Sequence, residues 1–184
     1  MKTFHFSLPL SAADISQLKA GDMVFLTGHL YTARDAAHKR MAETLSKGLP
    51  LPFELSGETI YYAGPAPARP GKIIGPCGPT TAGRMDAYTP LLLDAGLKVM
   101  IGKGKRNNAV RQSIVRNQAV YLGIPGGAAA LISTFVTACE LIAYKDLGTE
   151  AIRMLEIKEL PAFVLLDSFG NDLYESTIAR YADK

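Results

Sequence analysis

A chain of 184 residues, 48% hydrophobic and 20% charged, can bury a sizeable core and reads as a single domain over residues 1–184. A net charge of +3, with no block of five like charges, argues against a nucleic-acid partner. The two cysteines, Cys77 and Cys139, lie too far apart for a CxxC or zinc framework. With no long apolar segment at the N-terminus and no window near the ~18 apolar residues of a membrane span, they read as free thiols of a cytoplasmic protein that does not enter the membrane.

Along the chain, Thr3–Leu8 alternates Phe4, Phe6 and Leu8 with polar residues and predicts a half-buried strand. Ser11 suits the N-cap of a short helix. Asp22–Thr27 reads as a short buried strand, and Gly28–Ala33 as the connection to a helix over Asp35–Ser46. Ile60-Tyr61-Tyr62 is the next strand, followed by a Pro-rich loop over 64–71. The apolar pair Ile73-Ile74 then leads, as a strand would, into Gly78-Pro-Thr-Thr-Ala-Gly-Arg-Met-Asp86. Met85–Ala95 is helical, with either a kink at Pro90 or a second helix capped by Thr89.

Leu97–Ile101 reads as a strand ending in Gly102-Lys-Gly-Lys-Arg106, Asn108–Asn117 as a helix, and Ala119–Leu122 as a strand ending in a Gly-rich turn. Ala128–Phe135 is a small-residue helix or buried turn. Cys139–Tyr144 and Ala151–Ile157 leave strand and short helix both open; Pro161–Leu166 is a strand and Asp167–Asn171 a turn. Strands alternating with helices give an α/β fold with parallel pairs.

Four features carry chemistry. The Gly-Pro-Thr-Thr turn places Thr80, Thr81 and Arg84 at a helix start, where free backbone N–H groups and a guanidinium suit an anion. Arg34 follows a strand and opens a helix; an ordinary surface contact with Asp35 or His38 is the competing reading. His38 shares its helix face and reads either as a group that orients a ligand or, the preferred reading, as an ordinary exposed histidine. Lys103 lies in a Gly-Lys-Gly turn that lets backbone approach a ligand, whereas Lys105 and Arg106 read as a solvated basic loop. In a parallel sheet the residues that follow strands gather on one edge. Arg34, Thr80, Arg84, Lys103 and Gly126 would then face one pocket, suited to a dicarboxylate or a phosphate.

The motifs Gly78–Asp86, Met100-Ile-Gly-Lys-Gly104 and Tyr121-Leu-Gly-Ile-Pro-Gly-Gly-Ala-Ala-Ala130 closely resemble the C-terminal region of class I iron–sulfur fumarate hydratases. That region is a separate β subunit in many prokaryotes. Tyr31–Arg40 and Leu160–Asn171 fit the same family, which includes the β subunit of L(+)-tartrate dehydratase. The resemblance implies a swivelling β/β/α domain with a partly parallel mixed sheet flanked by helices. It implies reversible hydration of fumarate to L-malate, or dehydration of tartrate to oxaloacetate in the alternative.

It also implies a [4Fe-4S] cluster with three cysteine ligands; two cysteines cannot supply them, so the cluster falls to a partner α subunit and none is bound by this chain. By the same resemblance Thr80 matches a catalytic base, and Arg34, Arg84 and Lys103 match residues that bind substrate. A threonine needs strongly positive surroundings to act as a base. A stand-alone phosphate-binding module is the competitor from another class, weakened by the missing Walker Lys-Ser/Thr pair. A purely structural subunit is the third reading.

Overall fold

The computed structural model describes residues 1–181. Its strands are β1 (Thr3–Ser7), β2 (Met23–Thr32), β3 (Thr59–Tyr61), β4 (Val99–Gly102), β5 (Val120–Gly123), β6 (Val136–Ala143) and β7 (Ile152–Leu166). The α-helices are α1 (Ala12–Gln17), α2 (Asp35–Ser46), α3 (Thr89–Asp94), α4 (Asn108–Arg116), α5 (Ala129–Ile132) and α6 (Leu173–Tyr181). The strands form a 7-stranded mixed sheet in the order β1-β2-β3-β4-β5-β7-β6, so the expected α/β class with a partly parallel sheet holds.

β1 through β5 pair in parallel, whereas β7 runs antiparallel to β2, β5 and β6. Because β7 pairs with both β2 and β5, the sheet closes on itself through β2-β3-β4-β5-β7. Closure removes the sheet edges that those strands would otherwise expose. Side-chain alternation then sorts the residues into two cores. Tyr61, Val99, Ile101, Val120 and Leu122 join Leu26, Leu155 and Val164 in the core enclosed by the closed sheet. Their neighbours Ile60, Tyr62, Met100 and Tyr121 point outward and pack beneath α2, α3 and α4, against Met41, Leu92 and Ile114.

Several expectations need correction. β2 continues to Thr32, because Gly28, with φ of +121°, absorbs a register shift after Leu26 and lets the strand run on. Ile73-Ile74 belongs to no strand, and Ile73 is exposed. Both segments left open between strand and helix are strands, and β7 runs continuously through Pro161. The helix does not kink at Pro90; α3 is separate, with Tyr88 at its N-cap and Pro90 in its first turn. No helix among the described residues is long and apolar enough to cross a membrane.

Candidate functional site

The parallel run β2-β3-β4-β5 brings four C-terminal strand ends to one edge of the sheet. Arg34 lies just past β2 and is the N-cap of α2, in extended conformation. Lys103 directly follows β4. The Gly-Pro-Thr-Thr segment arrives differently from the sequence expectation. It does not continue a strand but docks across the ends of two. The Thr80 N–H donates to the Tyr62 carbonyl at 2.6 Å, and the Lys103 N–H donates to the Thr80 carbonyl at 3.3 Å. The Ala82 N–H returns to the Lys103 carbonyl at 2.8 Å, and a 3-10 turn over Ala82–Met85 then carries Arg84. Gly102 permits this approach: a Cβ there would stand 2.9 Å from the Tyr62 ring and 3.4 Å from the Thr80 carbonyl.

The arginines meet through Asp35. Arg84 Nε lies 2.7 Å from Asp35 Oδ1, and Arg34 Nε donates to Asp35 Oδ2 at 3.1 Å. Arg34 Nε also pairs with Glu150 at 3.4 Å, while Glu150 accepts the Ala36 N–H at 2.7 Å. The Arg34 side chain crosses Gly64, where a Cβ would stand 3.0 Å from its Cδ. The Arg34–Asp35 contact expected of an ordinary surface pair is therefore present, but it is half of a bridge to Arg84. Partial burial pushes the Asp35 carboxyl up; its own backbone N–H and the two arginines outweigh this and hold it below the usual carboxylate range.

Lys103 takes no part in the Asp35 bridge. Its Nζ reaches over Gly126, 3.5 Å from where a Cβ would stand, beside a cavity of about 360 Å³ lined by Ile124, Pro125, Phe163, Leu165 and Tyr174. The edge thus carries Arg34, Arg84, Thr80 and Lys103, with the apolar cavity beside Lys103.

Beneath this edge lies a polar anchor that the sequence reading missed. Arg106 is not a solvated loop residue: its side chain is 0% exposed. Its Nε donates to Asp86 at 2.6 Å, and its terminal nitrogens donate to Thr89 Oγ1 at 2.8 Å and the Tyr62 hydroxyl at 3.3 Å. Asp86 also accepts the Asn107 N–H at 2.7 Å. The anchor ties the end of the Gly78–Asp86 motif to the loop after β4, and so fixes Arg84 and Lys103 on a common base. Asp86, closing that motif, was the available signal. Lys105 is exposed, as expected.

His38 is likewise buried, not exposed. It stacks edge-on against Tyr62 and its Nδ1 donates to the Arg34 carbonyl at 3.1 Å. Nε2 is then an acceptor without a partner among the described residues. Burial dominates its titration and Arg106 reinforces it, lowering the pKa to about 4 against the opposing pull of the Arg34 carbonyl and Asp35.

Both cysteines are free thiols; Cys77 is buried and Cys139 partly buried. Burial pushes the Cys77 thiol up to about 12 and also raises that of Cys139. No set of three His, Cys, Asp or Glu side chains that would hold a metal occurs among the described residues.

The chain matches the family model of the fumarase C-terminus over residues 2–177. It is 39% identical over 167 residues to fumarate hydratase 2 of Leishmania major, covering 90% of this chain and 29% of that protein. To the anaerobic class I fumarate hydratase of Escherichia coli K12 it is 39% identical over 170 residues, covering 91% and 31%. To the L(+)-tartrate dehydratase subunit beta of the same strain it is 30% identical over 182 residues, covering 96% and 89%. The chain therefore spans about a third of the fumarate hydratases and nearly the whole of the tartrate dehydratase subunit.

Proposed function

This chain belongs to the fumarase C-terminus family, and on that premise we propose that it is the β subunit of an iron–sulfur hydro-lyase that interconverts fumarate and L-malate. We take residues 1–184 as one swivelling domain, a reading supported by the family match over residues 2–177. The cytoplasm is its compartment, in keeping with two free thiols.

The observation that carries the proposal is the gathering of Arg34, Arg84, Thr80 and Lys103 on the C-terminal edge of the parallel strands, with the arginines joined through Asp35. A dicarboxylate needs paired cations for its two ends, and guanidinium forks match carboxylates. Arg34 and Arg84 bind one carboxylate and Lys103, beside the cavity lined by Ile124 and Phe163, meets the other.

Dehydration removes a proton from the carbon beside a carboxylate and leaves extra negative charge on that carboxylate; the C–O bond of the neighbouring carbon then breaks, and its hydroxyl leaves with a proton as water. Fixed cations stabilise this charge, because they are oriented before it develops. Thr80 is the group assigned to the proton: its backbone is fixed on both sides by Tyr62 and Lys103, and positive charge brought against its hydroxyl would favour the ionised form.

The [4Fe-4S] cluster of this reading does not fit this chain. Three thiolates are needed, and the chain has two cysteines, far apart in sequence, of which Cys77 is buried. We assign the cluster to a partner α subunit, which completes the active site across the interface. The near-complete coverage of the tartrate dehydratase subunit favours a second reading, the dehydration of L(+)-tartrate by the same half-site. Steady-state assays of the chain paired with a cluster-bearing α subunit, on L-malate and on L(+)-tartrate, test the proposal. Loss of turnover in Arg84→Ala with assembly intact is expected. Full turnover in that variant would remove Arg84 from the site and leave a structural subunit.

A further inference from the structure

We propose that Asp35 is the positioning residue of the site: its carboxylate holds the Arg34 and Arg84 guanidinia side by side as one receptor for a substrate carboxylate. The inference rests on the functional reading above, which supplies the substrate, and adds how the receptor is built.

Three observations carry it. Asp35 is the only carboxylate within ion-pair distance of both arginines among the described residues. Its two oxygens are divided between them, Oδ2 to Arg34 and Oδ1 to Arg84. Both contacts use Nε, and the terminal nitrogens of the two arginines make no hydrogen bond among the described residues. The fork that matches a carboxylate is left free on each guanidinium.

The physical need is clear from exposure. The Arg84 side chain is 52% exposed, and Asp35 is its one ionic anchor among the described residues. Without that anchor a long, rotamer-rich side chain would be ordered only when substrate binds, at a cost in affinity. Two guanidinia brought together would also repel each other; a shared carboxylate offsets this. Arg34 has further supports, Glu150 beside it and Gly64 beneath, so Asp35 matters most for Arg84.

The sequence contributes a rigid mount. Asp35 is the first residue of α2, directly after the Arg34 cap, and its backbone is set by the helix start. A carboxylate in the first turn also sits favourably against the helix dipole, which keeps it charged.

The test compares Asp35→Asn, Asp35→Glu and Glu150→Gln in the paired enzyme with L-malate. Asparagine keeps the size but removes the charge and one acceptor. The expected result is a rise in KM of about tenfold for Asp35→Asn with kcat within about threefold. Asp35→Glu should recover most of the loss, and Glu150→Gln, which loosens α2 without releasing Arg84, should raise KM less. A KM that is unchanged or falls, as release of a competing carboxylate would give, overturns the proposal. So does a loss confined to kcat.

A second measurement needs neither partner nor turnover. In 15N relaxation of the chain alone, the Arg84 Nε should show a high order parameter in the wild type, where the Asp35 ion pair holds the side chain, and a low one in Asp35→Asn. Equal order parameters in both overturn the proposal. A wild-type pair that turns over no dicarboxylate refutes the functional reading instead. A working pair, impaired by Arg84→Ala but at wild-type KM in Asp35→Asn, refutes the positioning role alone.

Discussion

Acidification should destabilise this domain through His38, and the size of the effect follows from its surroundings. The ring is fully buried against Tyr62, its Nδ1–H is committed to the Arg34 carbonyl, and its Nε2, once protonated, would have no acceptor for its hydrogen among the described residues. Arg106 stands near enough to oppose a second cation. The folded pKa is about 4, whereas an unfolded histidine titrates near 6.5. The unfolded chain therefore takes up a proton that the folded chain refuses. Stability from this group is complete above pH 6.5 and is lost as pH falls towards 4. At pH 4.5 the loss amounts to about 2.5 kcal/mol. That is a large share of the ~5–15 kcal/mol that holds a typical domain together.

The assay is urea unfolding of the wild type and His38→Phe at pH 7.5 and 4.5. Phenylalanine keeps an aromatic ring against Tyr62 and cannot titrate, and the Arg34 carbonyl still accepts the backbone N–H of residue 38. Carboxylates titrate alike in both proteins, so the difference isolates residue 38. The wild type should lose about 2.5 kcal/mol more than the variant. Parallel pH dependences in the two proteins would refute the reasoning.

Other consequences are as direct. Arg106→Met leaves the Asp86 carboxylate buried without its cation and should cost about 3–5 kcal/mol in urea unfolding; adding Asp86→Asn should return part of it. Arg84→Ala should cost about 2–5 kcal/mol of transition-state binding in the paired enzyme, read from kcat/KM, with co-purification of the partner unchanged. Iodoacetamide at pH 8 should label the partly buried Cys139 and spare Cys77, whose thiol is pushed up to about 12; rapid labelling of Cys77 in the folded chain would contradict its buried setting.

Local signals carried much of the fold. Ser11 caps α1, as its position suggests, and α2 spans Asp35–Ser46, the expected range. Each of these depends on residues within one or two turns. Several misreadings depend on partners distant in sequence. β2 outruns its apolar core because β7 pairs along its length, and β7 tolerates Pro161 because only β2 pairs with it there, in the gap between the stretch of β7 that pairs with β6 and the stretch that pairs with β5. Arg106 looks solvated beside Lys105, yet Asp86, twenty residues earlier, neutralises it in the core. His38 lies on the helix face that packs over Tyr62, and a lone imidazole in sequence carries no mark of that.

The site edge was legible for a different reason. Arg34, Lys103 and Gly126 each follow a strand, and parallel pairing alone brings them together. Thr80 and Arg84 reach the same edge by another route, the docking of their turn onto Tyr62 and Lys103, which no strand pattern announces. Asp35 was visible only as the neighbour of Arg34; its second oxygen, on Arg84, required the folded chain.

The most direct test of the central claim is anaerobic turnover of L-malate and L(+)-tartrate by this chain alone and with a cluster-bearing α subunit. The expected result is dehydration by the pair only, lost on exposure to oxygen, with the faster diacid identifying the substrate. A well-formed, cluster-loaded pair that turns over neither diacid would contradict the account.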